Sequence, residues 1–113
     1  MGYELHITRA EPPIGFEEWL DFARRRSDLR EEGEVSYLDL ESQPVYLHTC
    51  RDGVEVSLHW YGDRVRVKGV RSERGAGSLV RMADALRGRL VGDEGEVYGR
   101  RGLLRWFRRV VNP

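Results

Sequence analysis

The sequence predicts an α+β fold in two layers, a mainly antiparallel sheet with helices on one face. Three observations predict it. Alternating apolar and polar runs at 45–50, 54–61 and 64–70 are separated by Asp52-Gly53 and Gly62-Asp63, both favoured two-residue hairpin loops. Two stretches switch to a helical period, with Phe16, Trp19, Leu20 and Ala23 in the first and Leu79, Met82, Ala83, Leu86 and Leu90 in the second. The resulting order is strand, helix, four strands, helix, short hairpin, helix, and its 113 residues suit a single domain, 1–113.

Along the chain, residues 3–9 alternate Tyr3, Leu5 and Ile7 against Glu4, His6 and Thr8, the pattern of a half-buried strand that Pro12-Pro13 brings to an end. The first helix carries Glu17 and Glu18 in its opening turn and Arg24, Arg25 and Arg26 near its close, as the helix dipole favours. The charged stretch 30–34 reads as a loop, residues 35–40 as a strand, and Glu41-Ser42-Gln43-Pro44 as a turn. Gly75-Ala76-Gly77-Ser78 reads as a flexible connection before the second helix, and Val91, Gly92-Asp93-Glu94-Gly95 and Val97-Tyr98 as a very short hairpin with a tight acidic turn.

The two loops imply a register. With two residues in each, Thr49 faces Val56, Leu47 faces Leu58 and Val45 faces Trp60, while Trp60 faces Val65 and Leu58 faces Val67. Apolar residues of all three strands then share one face. The other face gathers Tyr46, His48, Cys50, Glu55, Ser57, His59, Tyr61, Arg66 and Lys68, and an antiparallel sheet can leave such a face open to solvent or to a partner.

Nineteen basic residues balance nineteen acidic ones, but the sum conceals an uneven layout. Residues 1–63 hold fourteen acids and six bases, whereas residues 64–113 hold five acids and thirteen bases. Two halves that fold together and pair their charges are the simplest account, and a basic surface beside an acidic one is the other. Eleven aromatic residues are too many for a disordered chain. No apolar run approaches the ~20 residues of a membrane span, and the start lacks the apolar stretch of a secretion signal. Cys50 is the one cysteine, which fits a reducing compartment and a cytoplasmic location.

Several constellations bear on chemistry. His48 with Cys50 brings a base near a nucleophile on the polar face, but a flat sheet supplies no oxyanion donors. His48 and His59 with Cys50 or Glu55 lack the ligand spacing of a zinc site. Gly75-Ala76-Gly77-Ser78 lacks the third glycine of a dinucleotide loop, with Val80 in its place, and the Gly-Lys-Ser/Thr of a phosphate loop. No catalytic residue, metal ligand or cofactor is therefore assigned. The segment 99–113 is basic and amphipathic: Leu103, Leu104, Phe107, Val110 and Val111 share one side. Docking as a last core helix is its preferred role, and its arginines suit a membrane surface or nucleic acid in the two others.

The stretches GYELHITRA (2–10), GFEEWLDFA (15–23), LHWYGDRVRVKG (58–69) and MADALRGRLVGDEGEVY (82–98) resemble a group of small uncharacterised bacterial proteins. Those begin with Tyr-x-x-His-Ile-Thr-Arg and close with Gly-Asp-Asp-Gly-Glu. Glu94 replaces the usual Asp here, and Arg71-Ser72-Glu73-Arg74 stands where the group has Lys-Asn-Pro-Asp. In size and architecture the group is similar to immunity proteins of bacterial toxin systems. The lack of an assembled catalytic site, the polar sheet face and the acidic N-terminal half point to a non-enzymatic interaction domain with Tyr46, His48, His59, Tyr61, Arg66 and Lys68 as partner-binding residues, and the resemblance implies an immunity protein that neutralises a cognate toxin. The alternative is an anionic-surface binder, for nucleic acid or acidic membrane, through Arg100, Arg101, Arg105, Arg108 and Arg109.

Overall fold

A computed structural model describes residues 3–38 and 40–99. Within them the expected alternations become a seven-stranded, wholly antiparallel open sheet with two helices packed against it. In chain order the elements are β1 (Tyr3–Thr8), α1 (Phe16–Arg24), β2 (Arg30–Tyr37), β3 (Leu40–Thr49), β4 (Glu55–Tyr61), β5 (Arg64–Val70), α2 (Glu73–Ala85), β6 (Arg89–Gly92) and β7 (Val97–Tyr98). The strands lie side by side as β2-β3-β4-β5-β1-β6-β7, which puts the first strand of the chain between β5 and β6. Among the described residues no helix is long and apolar enough to cross a membrane.

One core joins both helices to one face of the sheet. Leu5 and Ile7 of β1, Val56 and Leu58 of β4, Val65 and Val67 of β5 and Leu90 of β6 meet Trp19, Leu20 and Ala23 of α1 and Leu79, Met82 and Ala83 of α2. Aromatic contacts tie α1 down: Phe16 lies 5.2 Å from Trp60, whose indole N–H donates to Ile14 O, and Trp19 meets Tyr46 edge-on at 5.9 Å. Arg9, just past β1, uses all five of its N–H donors. They reach the Pro12, Pro13 and Leu86 carbonyls and both carboxylate oxygens of Glu18, stapling β1, α1 and the end of α2 together.

The β4–β5 hairpin has the expected register, with Trp60 opposite Val65 and Leu58 opposite Val67 across the Gly62-Asp63 loop. The β3–β4 hairpin does not. Its pairs are Tyr46 with Leu58, Leu47 with Ser57, His48 with Val56 and Thr49 with Glu55, one residue away from expectation. The cause is the turn. Gly53 N–H donates to Cys50 O and Cys50 N–H to Val54 O, so the loop has three residues, with Gly53 in the left-handed region at φ 86°. A two-residue Asp-Gly loop needs positive φ at both residues, and Asp52 does not adopt it. Asp52 instead accepts from Val54 N–H and from the Ser72 hydroxyl, holding the hairpin against the start of α2.

A one-residue shift turns a strand over. Tyr46, His48 and Cys50 therefore point into the helix-covered core, at 2%, 5% and 4% exposure, while Val45, Leu47 and Thr49 take the other face. Four further expectations do not hold. Residues 30–34 are not a loop but the start of edge strand β2, whose charges and bulge suit an exposed edge. The expected 41–44 turn is strand: β3 runs through it, and the buried Gln43 amide bonds both the Trp60 N–H and C=O beside Pro44. Gly75, Ala76, Gly77 and Ser78 lie inside α2, and Leu90 belongs to β6 rather than to that helix. The chain changes course at Gly88, where a Cβ would collide with the Thr8 carbonyl.

Candidate functional site

The face turned away from the helices presents Glu4 and His6 from β1, Tyr37 from β2, Ser57, His59 and Tyr61 from β4, and Arg66 and Lys68 from β5. Register makes the central row: His59 pairs with Arg66, which in turn pairs with His6 on the far side of β5. Ser57 pairs with Lys68. Because β4, β5 and β1 are adjacent, residues distant in sequence fall into one strip.

Arg66 is the hub of that strip. Its Nε donates to Glu4 Oε2 at 2.6 Å, its Nη1 donates to Tyr37 Oη at 3.3 Å, and its guanidinium stacks 4.9 Å from the Tyr61 ring centre. Tyr37 Oη lies 2.8 Å from His59 Nε2, and the Tyr37 ring packs edge-on against Tyr61 at 4.9 Å. Arg66 has no acceptor, so the Tyr37 oxygen accepts from it, and the hydroxyl proton remains available for His59 Nε2.

Electrostatics agree with this arrangement. Burial, at 3% exposure, pushes the His59 ring down to about 4, and Arg66 and Lys68 push in the same direction. The Arg66 hydrogen bond holds the Glu4 carboxyl below its usual range. Beyond Glu4, His6 Nε2 meets Asp93 Oδ1 at 3.0 Å, which joins the β6–β7 turn to the strip. Tyr61 and Lys68 are the exposed members, and Lys68 has no ion-pair partner among the described residues.

Of the expected partner-binding residues, His59, Tyr61, Arg66 and Lys68 come together on this face. Tyr46 and His48 do not, because the β3 register carries them to the core. Sequence reasoning missed Tyr37, Glu4 and Asp93. Tyr37 is reached by the alternation of β2, but its position over β4 depends on the hairpin turning near Leu38, where no glycine marks the bend. The remaining five expected residues, Arg100, Arg101, Arg105, Arg108 and Arg109, lie outside the described residues.

On the covered side His48 is satisfied within the fold: Nδ1 donates to Asp28 O at 3.0 Å, and Nε2 accepts from Ser78 Oγ at 2.9 Å. Cys50 beside it is buried, and desolvation raises its thiol, which keeps it protonated at neutral pH. The start of α2 already holds an anion of its own, since Ser72 caps Gly75 N–H and bonds the Asp52 carboxylate. In the acidic turn Glu96 is buried and folds back, accepting from Glu94 N–H and lying over Gly92. Among the described residues no three His, Cys, Asp or Glu side chains form a cluster able to hold a metal ion.

Most of the ion pairs among the described residues lie within the first half and leave its excess of acids unchanged. Arg9–Glu18, Asp21–Arg25, Arg26–Asp28 and Arg30 with Glu32 and Glu55 stay inside it, and Glu4–Arg66 and Asp63–Arg64 join the halves. No family model, curated protein or solved structure matches the chain.

Proposed function

We propose that this chain is a non-enzymatic interaction domain that binds a protein partner through the open sheet face, as an immunity protein binds and blocks a cognate toxin. The observation that carries the reading is the Tyr37–His59–Tyr61–Arg66–Glu4 cluster, an aromatic and arginine surface held in place on a side of the sheet that neither helix covers. Tyr and Arg contribute most to binding when they are rigid before the partner arrives, because little side-chain freedom is lost on contact. Lys68 extends the surface with an exposed cation that forms no ion pair among the described residues, which favours a partner with acidic groups. A reduced, buried Cys50 suits the cytoplasm as the place of action.

The test is co-purification of the full chain with the product of the adjacent gene. Binding is expected, and Tyr61→Ala and Lys68→Glu should each weaken it by about tenfold without altering the far-UV spectrum. Absence of binding to any neighbouring product, together with no protection of cells against it, removes the proposal. So does binding that both substitutions leave intact.

A further inference from the structure

We propose that the groove between the closing ends of α1 and α2 binds the free C-terminus of a peptide whose last residue is large and apolar, with Arg87 as the carboxylate contact. The groove encloses about 340 Å³, and its apolar lining is Phe22, Ala85 and Leu86. It lies in the helix layer, on the opposite side of the sheet from His59 and Arg66, so it does not depend on the partner surface proposed above.

Arg87 stands where glycine is expected. α2 closes in a Schellman turn, with Gly88 N–H donating to Ala83 O at 2.8 Å and Arg87 N–H to Asp84 O at 2.9 Å. Arg87 takes φ 60° there, and among the described residues no other non-glycine residue has a positive φ. A Cβ in that conformation crowds the next carbonyl, so glycine is the ordinary choice. Capping does not account for the arginine, because Arg9 Nη1 already donates to Leu86 O at 2.8 Å. A left-handed arginine held at this position points to a contact that glycine cannot make.

Its charge is also the one left over in the groove. Glu18 pairs with Arg9, Asp21 with Arg25 at 3.3 Å and Arg26 with Asp28 at 2.8 Å, whereas Arg87 joins no ion pair among the described residues. The Arg9 hydrogen bond chiefly holds the Glu18 carboxyl below its usual range, and Arg87 contributes least to it. One unmatched cation beside an apolar lining complements one carboxylate beside an apolar side chain. The groove is at the small end of the ~300–1,000 Å³ of ligand pockets, which suits a chain end rather than a segment running through. Phe22 is fixed by the Arg26 guanidinium at 5.1 Å and the Trp19 ring at 5.9 Å, so it meets an incoming ring as a rigid surface.

Titration of the isotope-labelled full chain with N-acetyl-glycyl-phenylalanine tests this by NMR. The backbone amides of Phe22, Ala85 and Arg87 are expected to shift with a Kd of about 1 mM, as one buried ring and one charge-assisted contact imply. The same peptide with its carboxylate converted to an amide should bind about tenfold more weakly. Arg87→Gly should bring the free acid down to the level of that amide and, in the same protein, raise the urea midpoint. Equal affinity for acid and amide overturns the proposal, as does an absence of shifts at about 5 mM peptide. Shifts centred on Tyr61 and Lys68 overturn it by assigning the peptide to the open face. A preference for the acid that survives Arg87→Gly overturns it as well. So does a lower urea midpoint in that variant, since the arginine then serves the fold.

Discussion

The two faces of this sheet reach similar burial by different means. On the covered side Leu58 and Val67 lose all contact with water because helices lie over them. On the open side His59 is buried nearly as deeply, yet it packs against the Tyr37 ring, which is itself held by Tyr61 and by the Arg66 guanidinium. The first arrangement rests on apolar transfer, which is indifferent to protonation. The second rests on a desolvated imidazole beneath cations, so its stability depends on pH. An open face built in this way is ordered without being apolar.

Leu58→Ala should sharpen the contrast most. Truncating a fully buried leucine in a packed core costs about 3 kcal/mol, read as a lower urea midpoint at unchanged slope. A loss below about 1 kcal/mol would show that the covered face is not the main source of stability. Acid comes next. The His59 ring titrates near 4 in the fold and near its ordinary value when unfolded, so between those values the unfolded chain binds more protons. Stability is therefore complete above about pH 6.5 and declines as pH falls toward 4, by about 2 kcal/mol at pH 5. His59→Gln should flatten that part of the profile, and an unchanged slope in the variant would assign the pH dependence elsewhere. Tyr37→Phe is the smallest change. It removes the hydroxyl between Arg66 and His59 and is expected to cost about 1 kcal/mol, with the His59 ring resonances titrating at higher pH. No movement of that titration would sink the hydrogen-bond chain drawn through Tyr37.

Much of the fold was readable because it depends on near neighbours. The β1 alternation, the Phe16–Ala23 stripe and the Gly62-Asp63 hairpin each carry their cause within a few residues. The Asp52-Gly53 turn does not. The same dipeptide serves a two-residue or a three-residue loop, and the choice rests on an Asp52 carboxylate held by Ser72, twenty positions away. That single tertiary contact turned Tyr46 and His48 away from the site, and the other four expected residues of the face stayed on it. Gly75 and Gly77 read as a connection because glycine is a poor helix former, whereas here Gly75 lies flat against Asp52 at the capped start of α2. The hub of the site was visible as Arg66. Its partners Glu4 and Tyr37 were not, because they arrive from strands whose place in the sheet no local pattern encodes.

The position of β1 has a consequence for how the chain comes into being. Leu5 pairs with Val67 on one side and with Gly92 on the other, so β1 is synthesised before either of its neighbours. The β3–β5 meander, whose contacts are local, can assemble during synthesis, while Leu5 and Ile7 wait for β5 and then β6 to emerge. During that wait an apolar strand is exposed, and the charged residues alternating with it, Glu4 and His6, are what keep it in solution until the centre of the sheet closes around it.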